Sequence, residues 1–203
     1  IDEIDTMGEM LISGRYIYDI VRKLSNEIIN IEEIIDSQVL ITTETSSFKL
    51  NCNEVNEFPS IDLEFSGTPI LIEEKVFKTT INQTIFATST QESRPLLTGI
   101  NVRINGNILE CIATDSYRLA KKSIKLDRIL DTNINMVIPG KNLLELDKII
   151  SDDKENLELH IFENKILFKY KGILFLSRLL SGTYPATSSI IPNEFNVQVE
   201  CSC

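Results

Sequence analysis

Apolar residues recur at helical spacing in three stretches of the chain. Residues 12–24, ISGRYIYDIVRKL, begin with a Ser-Gly turn and then set Ile17, Ile20, Val21 and Leu24 on one face. Residues 138–150, IPGKNLLELDKII, begin with a Pro-Gly turn and place Leu143, Leu146 and Ile150 the same way. A third helix is expected over about Lys75–Ala87, with Phe77, Ile81 and Ile85 on its apolar face. Shorter apolar runs read as strands. Ile28–Ile34, Val39–Thr43 and Ser47–Asn51 follow the first helix, and Leu157–Phe162, Ile166–Tyr170 and Ile173–Leu179 follow the one at 138–150. Between the two sets lie Ile70–Ile72, Ile100–Ile104, Ile108–Ala113 and Leu119–Ile124, with Asn105-Gly106-Asn107 as a hairpin turn. Asp127–Asn135 reads as a polar connector and Ser151–Asn156 as an acidic one.

The first and last sets align without a gap at an offset of 126. Gly14 falls on Gly140, Arg15 on Lys141, Leu24 on Ile150, Leu40 on Ile166, Phe58 on Tyr184 and Pro59 on Pro185. One offset held through a helix, three strands and an aromatic-proline turn points to a duplicated domain. The expected organisation is therefore the second half of a first domain at 1–66, a complete second domain at 67–191, and the start of a third at 192–203, where Asn196–Glu200 resembles Ile70–Glu73. The chain opens without Met and stops in that strand-like run, so both ends read as cut from something longer. Each domain is expected to be α+β, with two helices packed on strands from both halves.

Composition narrows the class. With 42% hydrophobic and 25% charged residues the chain reads as soluble and globular, and no apolar run reaches the roughly 18–20 residues that span a bilayer. Cys52, Cys111, Cys201 and Cys203 have neither zinc nor disulfide-framework spacing, so they read as free cytosolic thiols. The net charge of −10 argues against nucleic acid until its distribution is considered. Over 15–24, 75–87 and 141–150, seven basic residues (Arg15, Arg22, Lys23, Lys75, Lys78, Lys141, Lys148) face three acids, a net +4 that leaves −14 elsewhere. An acidic protein can still offer a positive face to a duplex.

The densest chemistry is ATDSYRLA at 113–120, which holds an acid, a phenol, an arginine and two hydroxyls beside apolar residues. Catalysis finds no support: there is no nucleophile elbow, phosphate loop, HExxH or Cys/His cluster, and the single histidine, His160, sits in a strand. Asp115 taken alone is a turn or capping acid, and Arg118 a surface ion-pair residue. A binding scaffold of repeated α+β domains that never touches DNA is the other alternative.

ATDSYRLA (113–120), ESRPLLTGI (92–100), the VIPGK turn (137–141) and FLSRLLSGTYP (175–185) followed by Ile190-Ile191-Pro192 together resemble the bacterial DNA polymerase III β subunit, the sliding clamp. The resemblance runs in order along essentially the whole chain. It implies a DNA clamp fold of repeated domains, each with two helices packed on antiparallel sheets, and two protomers closing head to tail into a ring around duplex DNA. The implied function is processivity: the ring holds the replicative polymerase on its template, in the cytoplasm, with no catalytic residue, cofactor or metal. Implied partners are double-stranded DNA bound without sequence preference, and the polymerase α subunit, clamp loader and repair proteins, which bind through short linear motifs. No membrane is involved. A fragment lacking either complementary surface is not expected to close the ring.

By the same resemblance a peptide-binding groove maps onto Leu97, Thr114, Ser116, Tyr117, Arg118, Leu119, Pro185, Ser189 and Ile190. The apolar members would seat a peptide Leu or Phe, and Arg118 and the hydroxyls would fix its backbone. The DNA-facing set maps onto Arg22, Lys23, Lys75, Lys78, Gln91, Arg94 and Lys148. Where many relatives read TYPDTSRLIP this chain reads TYPATSSIIP, with Ala186 in place of an acid and Ser189 in place of a base.

Overall fold

The computed structural model describes every residue except 1, 2, 25–27, 35, 36, 62, 64–66, 152–154, 192, 193, 195, 198 and 201–203. Cys201, Cys203 and the Pro192 of the last motif lie outside the described residues. The chain divides into two compact units, Ile1–Asp62 and Leu63–Cys203.

In the first unit, helix α1 (Gly14–Val21) precedes strands β1 (Asn30–Ile34), β2 (Gln38–Thr42) and β3 (Ser47–Asn51), an antiparallel sheet in sequence order. β2 is central, and its period-2 alternation buries Val39 and Ile41 completely. The helix stops three residues short of Leu24. After the Arg22 amide reaches Tyr18 O, the amides of Lys23 and Leu24 turn to Ile20 O and Val21 O, an i→i−3 pattern that tightens and ends the helix.

The second unit holds β4 (Ile70–Glu73), α2 (Glu74–Asn82), β5 (Gly99–Thr114), β6 (Leu119–Pro139), α3 (Gly140–Ile149), β7 (Asn156–Ile161), β8 (Lys165–Tyr170) and β9 (Ile173–Arg178). One sheet has the order β4-β7-β8-β9, and β5 pairs with β6. Phe77 and Ile81 of α2 and Leu143 and Leu146 of α3 fill one core with Ile100, Val102, Cys111 and Phe168 from the strands. The Phe168 ring meets Phe77 at 5.8 Å and Phe175 at 6.3 Å between centroids, both tilted, the geometry that aromatic quadrupoles favour. Tyr170 Oη donates to the fully buried Glu74 Oε2 at 2.6 Å and fastens the start of α2 to β8.

Elements recur at the predicted offset. Helices start at 14 and 140, first strands at 30 and 156, third strands at 47 and 173. α2 is shorter than expected, ending at Asn82 before a separate 3-10 turn at Ile85–Ala87. The hydroxyls of Thr80 and Thr84 bond back to Val76 O and Thr80 O, a pattern that bends and weakens a helix.

Three expectations are corrected. Asp127–Asn135 is no free connector but part of β6, with Leu130 opposite Gly106 and Ile134 opposite Ile104. The strands expected on either side of Asn105-Gly106-Asn107 form one element, β5, whose register shifts there and whose Gly106 has φ +58°. Val102, Leu109 and Cys111 nevertheless line one small internal cavity. A straight strand would hold Val102 and Cys111 about 30 Å apart at ~3.3 Å per residue, so β5 bends back at the shift. Finally, no strand forms among the described residues of Asn196–Glu200.

Helix limits also change the charge. Glu74 joins α2 while Arg22 and Lys23 fall beyond α1, so the three helices carry a net +1 rather than +4.

Candidate functional site

ATDSYRLA is the tight connection between β5 and β6. Thr114 ends one strand, Leu119 begins the other, and they pair across the turn. The turn is built by its own side chains. Asp115 Oδ1 accepts from the amides of Tyr117 and Arg118, both at 3.0 Å, the Asx-turn arrangement that a short carboxylate makes with the backbone ahead of it. Thr114 Oγ1 donates to Arg118 O at 2.7 Å and accepts from the Ser116 amide at 3.2 Å. These bonds carry Ser116 at φ +81°, a conformation rare for a residue with a Cβ. Arg118 Nε closes the loop on Asp115 Oδ2 at 3.0 Å.

Bonds from the two backbone amides, with the Arg118 guanidinium beside them, hold the Asp115 carboxyl below its ordinary range. The acid is committed to its own turn. His160, buried in β7, meets Glu158 at 3.3 Å.

The turn stands on a second apolar cluster, in which Leu97, Val137 and Tyr184 are buried and Leu96 and Leu180 pack against them. Tyr184 links cluster and turn, since the buried Thr114 amide donates to its Oη at 3.1 Å. Burial raises the phenol's pKa, opposed by the bond from that amide. Two glycines permit the close packing. A Cβ on Gly99 would lie 2.8 Å from Val137 Cγ1 and 2.9 Å from Leu180 Cδ1, and Gly182, at φ +129°, has Leu96 Cδ1 2.9 Å from its missing Cβ.

Of the expected groove residues, Leu97 and Thr114 are thus linked through Tyr184, Pro185 follows Tyr184 in sequence and is exposed, and Ser116, Tyr117, Arg118 and Leu119 extend from the same turn. Leu119 is half-buried, and Tyr117 projects almost wholly into solvent. Ser189 ends the 3-10 turn Thr187–Ser189, and Ile190 follows it with its amide on Thr187 O and its side chain exposed. A cavity of about 410 Å³ is lined by Val137, Leu180 and Tyr184 together with residues of β6 and those at the ends of β7 and β9, and none of the expected groove residues lines it.

Sequence reasoning passed over Tyr184, Val137 and Leu180 as site residues. A signal existed for one of them: in the repeat, Phe58 is replaced by Tyr184, and only the phenol supplies an acceptor for Thr114.

The residues expected to face DNA are less uniform. Lys75 is exposed and without a partner among the described residues. Lys78 Nζ donates to Ile150 O at 2.9 Å, at the C-terminal end of α3, where a cation is favoured. Lys148 pairs with Glu145 at 2.7 Å. Arg94 donates to Ser116 Oγ at 3.2 Å and so belongs with the turn, while the Gln91 amide bonds Ser89 Oγ. In the first unit Arg22 lies 6.0 Å over the Tyr18 ring, and Lys23 is exposed.

Comparison with known families is decisive. The DNA polymerase III beta subunit central domain matches residues 71–186, and the N-terminal domain of the same subunit matches residues 1–62. The chain belongs to the DNA polymerase III beta subunit family. Among curated members of this clamp family, the beta sliding clamp of Bacillus subtilis (strain 168) is 39% identical over 196 residues, covering 97% of this chain and 52% of that protein. The beta sliding clamp of Staphylococcus aureus (strain COL) is 38% identical over the same shares. Among solved structures, the DNA polymerase III beta chain of Streptococcus pneumoniae TIGR4 superposes with a TM-score of 0.87 at 35% identity, covering 96% of this chain and 52% of that one. The sliding clamp of Bacillus subtilis gives 0.87 at 40% identity, covering 95% and 50%. The chain spans about half the length of the clamps it matches. The DNA clamp fold, α+β with helices on antiparallel sheets, is shared. Among the described residues no helix is long and apolar enough to cross a membrane, and no cluster of metal-binding side chains occurs.

Proposed function

We propose that the chain is part of a non-catalytic, cytoplasmic processivity factor of DNA replication: a ring-forming sliding clamp that encircles duplex DNA and tethers the polymerase and other partners through a peptide groove. The observation that carries this reading is the ordered match of two successive clamp domains along one chain. On this reading 1–66 is the second half of a first clamp domain, 67–191 the complete middle domain, and 192–203 the start of a third.

The groove is the surface around Leu97, Thr114, Leu119, Pro185 and Ile190, with Ser116, Tyr117, Arg118 and Ser189 at its rim. A self-braced turn on a buried aromatic platform suits peptide capture, because an ordered site loses little conformational freedom on binding. With Ala186 and Ser189 where relatives carry a charged pair, recognition rests more on apolar seating. DNA-facing charge falls to Arg22, Lys23, Lys75, Lys78, Arg94 and Lys148, with Gln91. Contacts of that kind go to phosphates and carry no sequence preference, as a sliding ring requires.

The groove is tested by titrating the chain with a short labelled peptide that carries a Leu-Phe pair. Leu119→Asp and Pro185→Asp, each putting a carboxylate into the apolar seat, are expected to weaken binding at least about tenfold with the circular-dichroism spectrum unchanged. Equal affinity in mutants and parent overturns the groove assignment.

A further inference from the structure

The groove arginine lies beside an aromatic residue from a different part of the chain. Phe86 lies in the 3-10 turn Ile85–Ala87 that follows α2. Ala87 is fully buried and Ile85 half-buried, which anchors the backbone on either side and leaves the Phe86 ring outside, 56% exposed. Single exposed aromatic residues are ordinary. This one has a specific neighbour: the Arg118 guanidinium carbon sits 5.9 Å from the centre of its ring. Asp115 takes the Nε–H of the same guanidinium at 3.0 Å.

Arg118 therefore has a carboxylate at its Nε–H and an aromatic ring beneath its guanidinium carbon. The four N–H groups of its terminal nitrogens make no hydrogen bond to protein among the described residues. A long arginine side chain left free would lose much rotamer freedom on meeting a ligand, and two-sided holding removes that loss beforehand. Elsewhere in the chain, Arg22 over Tyr18 has the ring without a carboxylate partner among the described residues, the ordinary form of an exposed cation–aromatic contact.

We propose that Phe86 is a positioning residue for the groove, fixing Arg118 so that its terminal N–H groups are ready for the backbone or acidic oxygens of a bound peptide. The proposal rests on the peptide-groove reading above. Phe86 is more than half exposed, and the circular-dichroism spectrum and urea midpoint of each variant separate its effect on binding from one on folding.

The test uses the full chain and the labelled Leu-Phe peptide, with Phe86→Leu, Phe86→Tyr, Arg118→Gln and the Phe86→Leu/Arg118→Gln double variant. Phe86→Leu is expected to weaken binding about two- to fivefold, the usual worth of an exposed cation–aromatic contact, and Phe86→Tyr, which keeps the ring, to bind as the parent does. In the Arg118→Gln background Phe86→Leu should have no further effect. A second readout is the Arg118 Nε–H signal in ¹⁵N NMR, which should shift and lose order in Phe86→Leu. Unchanged affinity in Phe86→Leu, or an equal loss with and without Arg118, overturns the positioning role. If the parent does not bind, or Leu119→Asp binds as well as the parent, the groove reading falls instead. The Nε–H signal then decides alone whether Phe86 holds Arg118, and an unaltered signal sinks the proposal.

Discussion

Tyr184 makes the turn and its platform one object. Its phenol oxygen is the acceptor for a backbone amide that has left water, and an amide stripped of its partner in such a place carries its full desolvation cost. Tyr184→Phe is expected to lower unfolding free energy by about 1–3 kcal/mol in urea titration, while keeping the ring packed between Leu97 and Val137. Cys111 offers a second test at this scale. Burial pushes its thiol up to about 12 from an ordinary 9. The unfolded chain therefore releases this proton first, and stability falls as pH rises from 9 toward 12. The slope approaches about 1.4 kcal/mol per pH unit, and Cys111→Ala should remove it from the alkaline limb even though it also opens a small void. Tyr184, raised in the same sense, adds to the fall above pH 10.

At the scale of elements, periodicity did well where one side chain pattern decides one element, and less well where local bonds compete with it. Ser47–Asn51 falls on its expected limits, and the helix at 140 starts where the Pro-Gly turn says it must. Where α2 stops depends on hydroxyls that turn back on the helix, and no spacing of apolar residues reveals that. The union of Ile100–Ile104 with Ile108–Ala113, and the capture of Asp127–Asn135 into β6, depend on partner strands distant in sequence. Leu130 and Ile134 find Gly106 and Ile104 only after folding. The groove residues came from motif resemblance, and their physical basis, a turn closed by Asp115 and Thr114, was legible only in part as the capping role of a lone acid. The bend in β5 makes its own prediction. Gly106 has φ +58° with open space around its missing Cβ, so Gly106→Ala meets no clash and should cost only the left-handed penalty, about 1–2 kcal/mol by thermal or urea unfolding. Gly106→Asn should cost less, because Asn tolerates that conformation.

For the whole molecule, the 126-residue offset accounts for the helix and three strands that recur in the two units, because duplicated sequence folds to duplicated structure, but not for β5 and β6. Charge was a weaker guide. Moving helix ends by a few residues reduced the helical surplus from +4 to +1, and several of the expected DNA-facing cations already hold protein partners. Lys75 does not. On the sliding-clamp reading proposed above, Lys75→Glu is expected to shorten retention on duplex DNA more at low salt than at high, and to reduce the slope of log affinity against log salt by about 1 or somewhat more. Retention that is the same at every salt concentration would remove Lys75 from the DNA-facing set.

The pairing of β4 with β7 has a consequence for synthesis. Ile70 meets Leu159 and Ile72 meets Leu157, so the first strand of the second unit is covered by residues made more than eighty positions later. At ribosomal speeds of about 5–20 residues per second, Ile70 and Ile72 wait roughly 4–17 s for their partners, with both a hydrogen-bonding edge and an apolar face open. Nascent chains of this protein therefore pass through a period in which edge-to-edge association between neighbours on one messenger competes with folding. The charged Glu73 that ends β4, with Glu74 and Lys75 directly after it, stands where it would discourage such pairing.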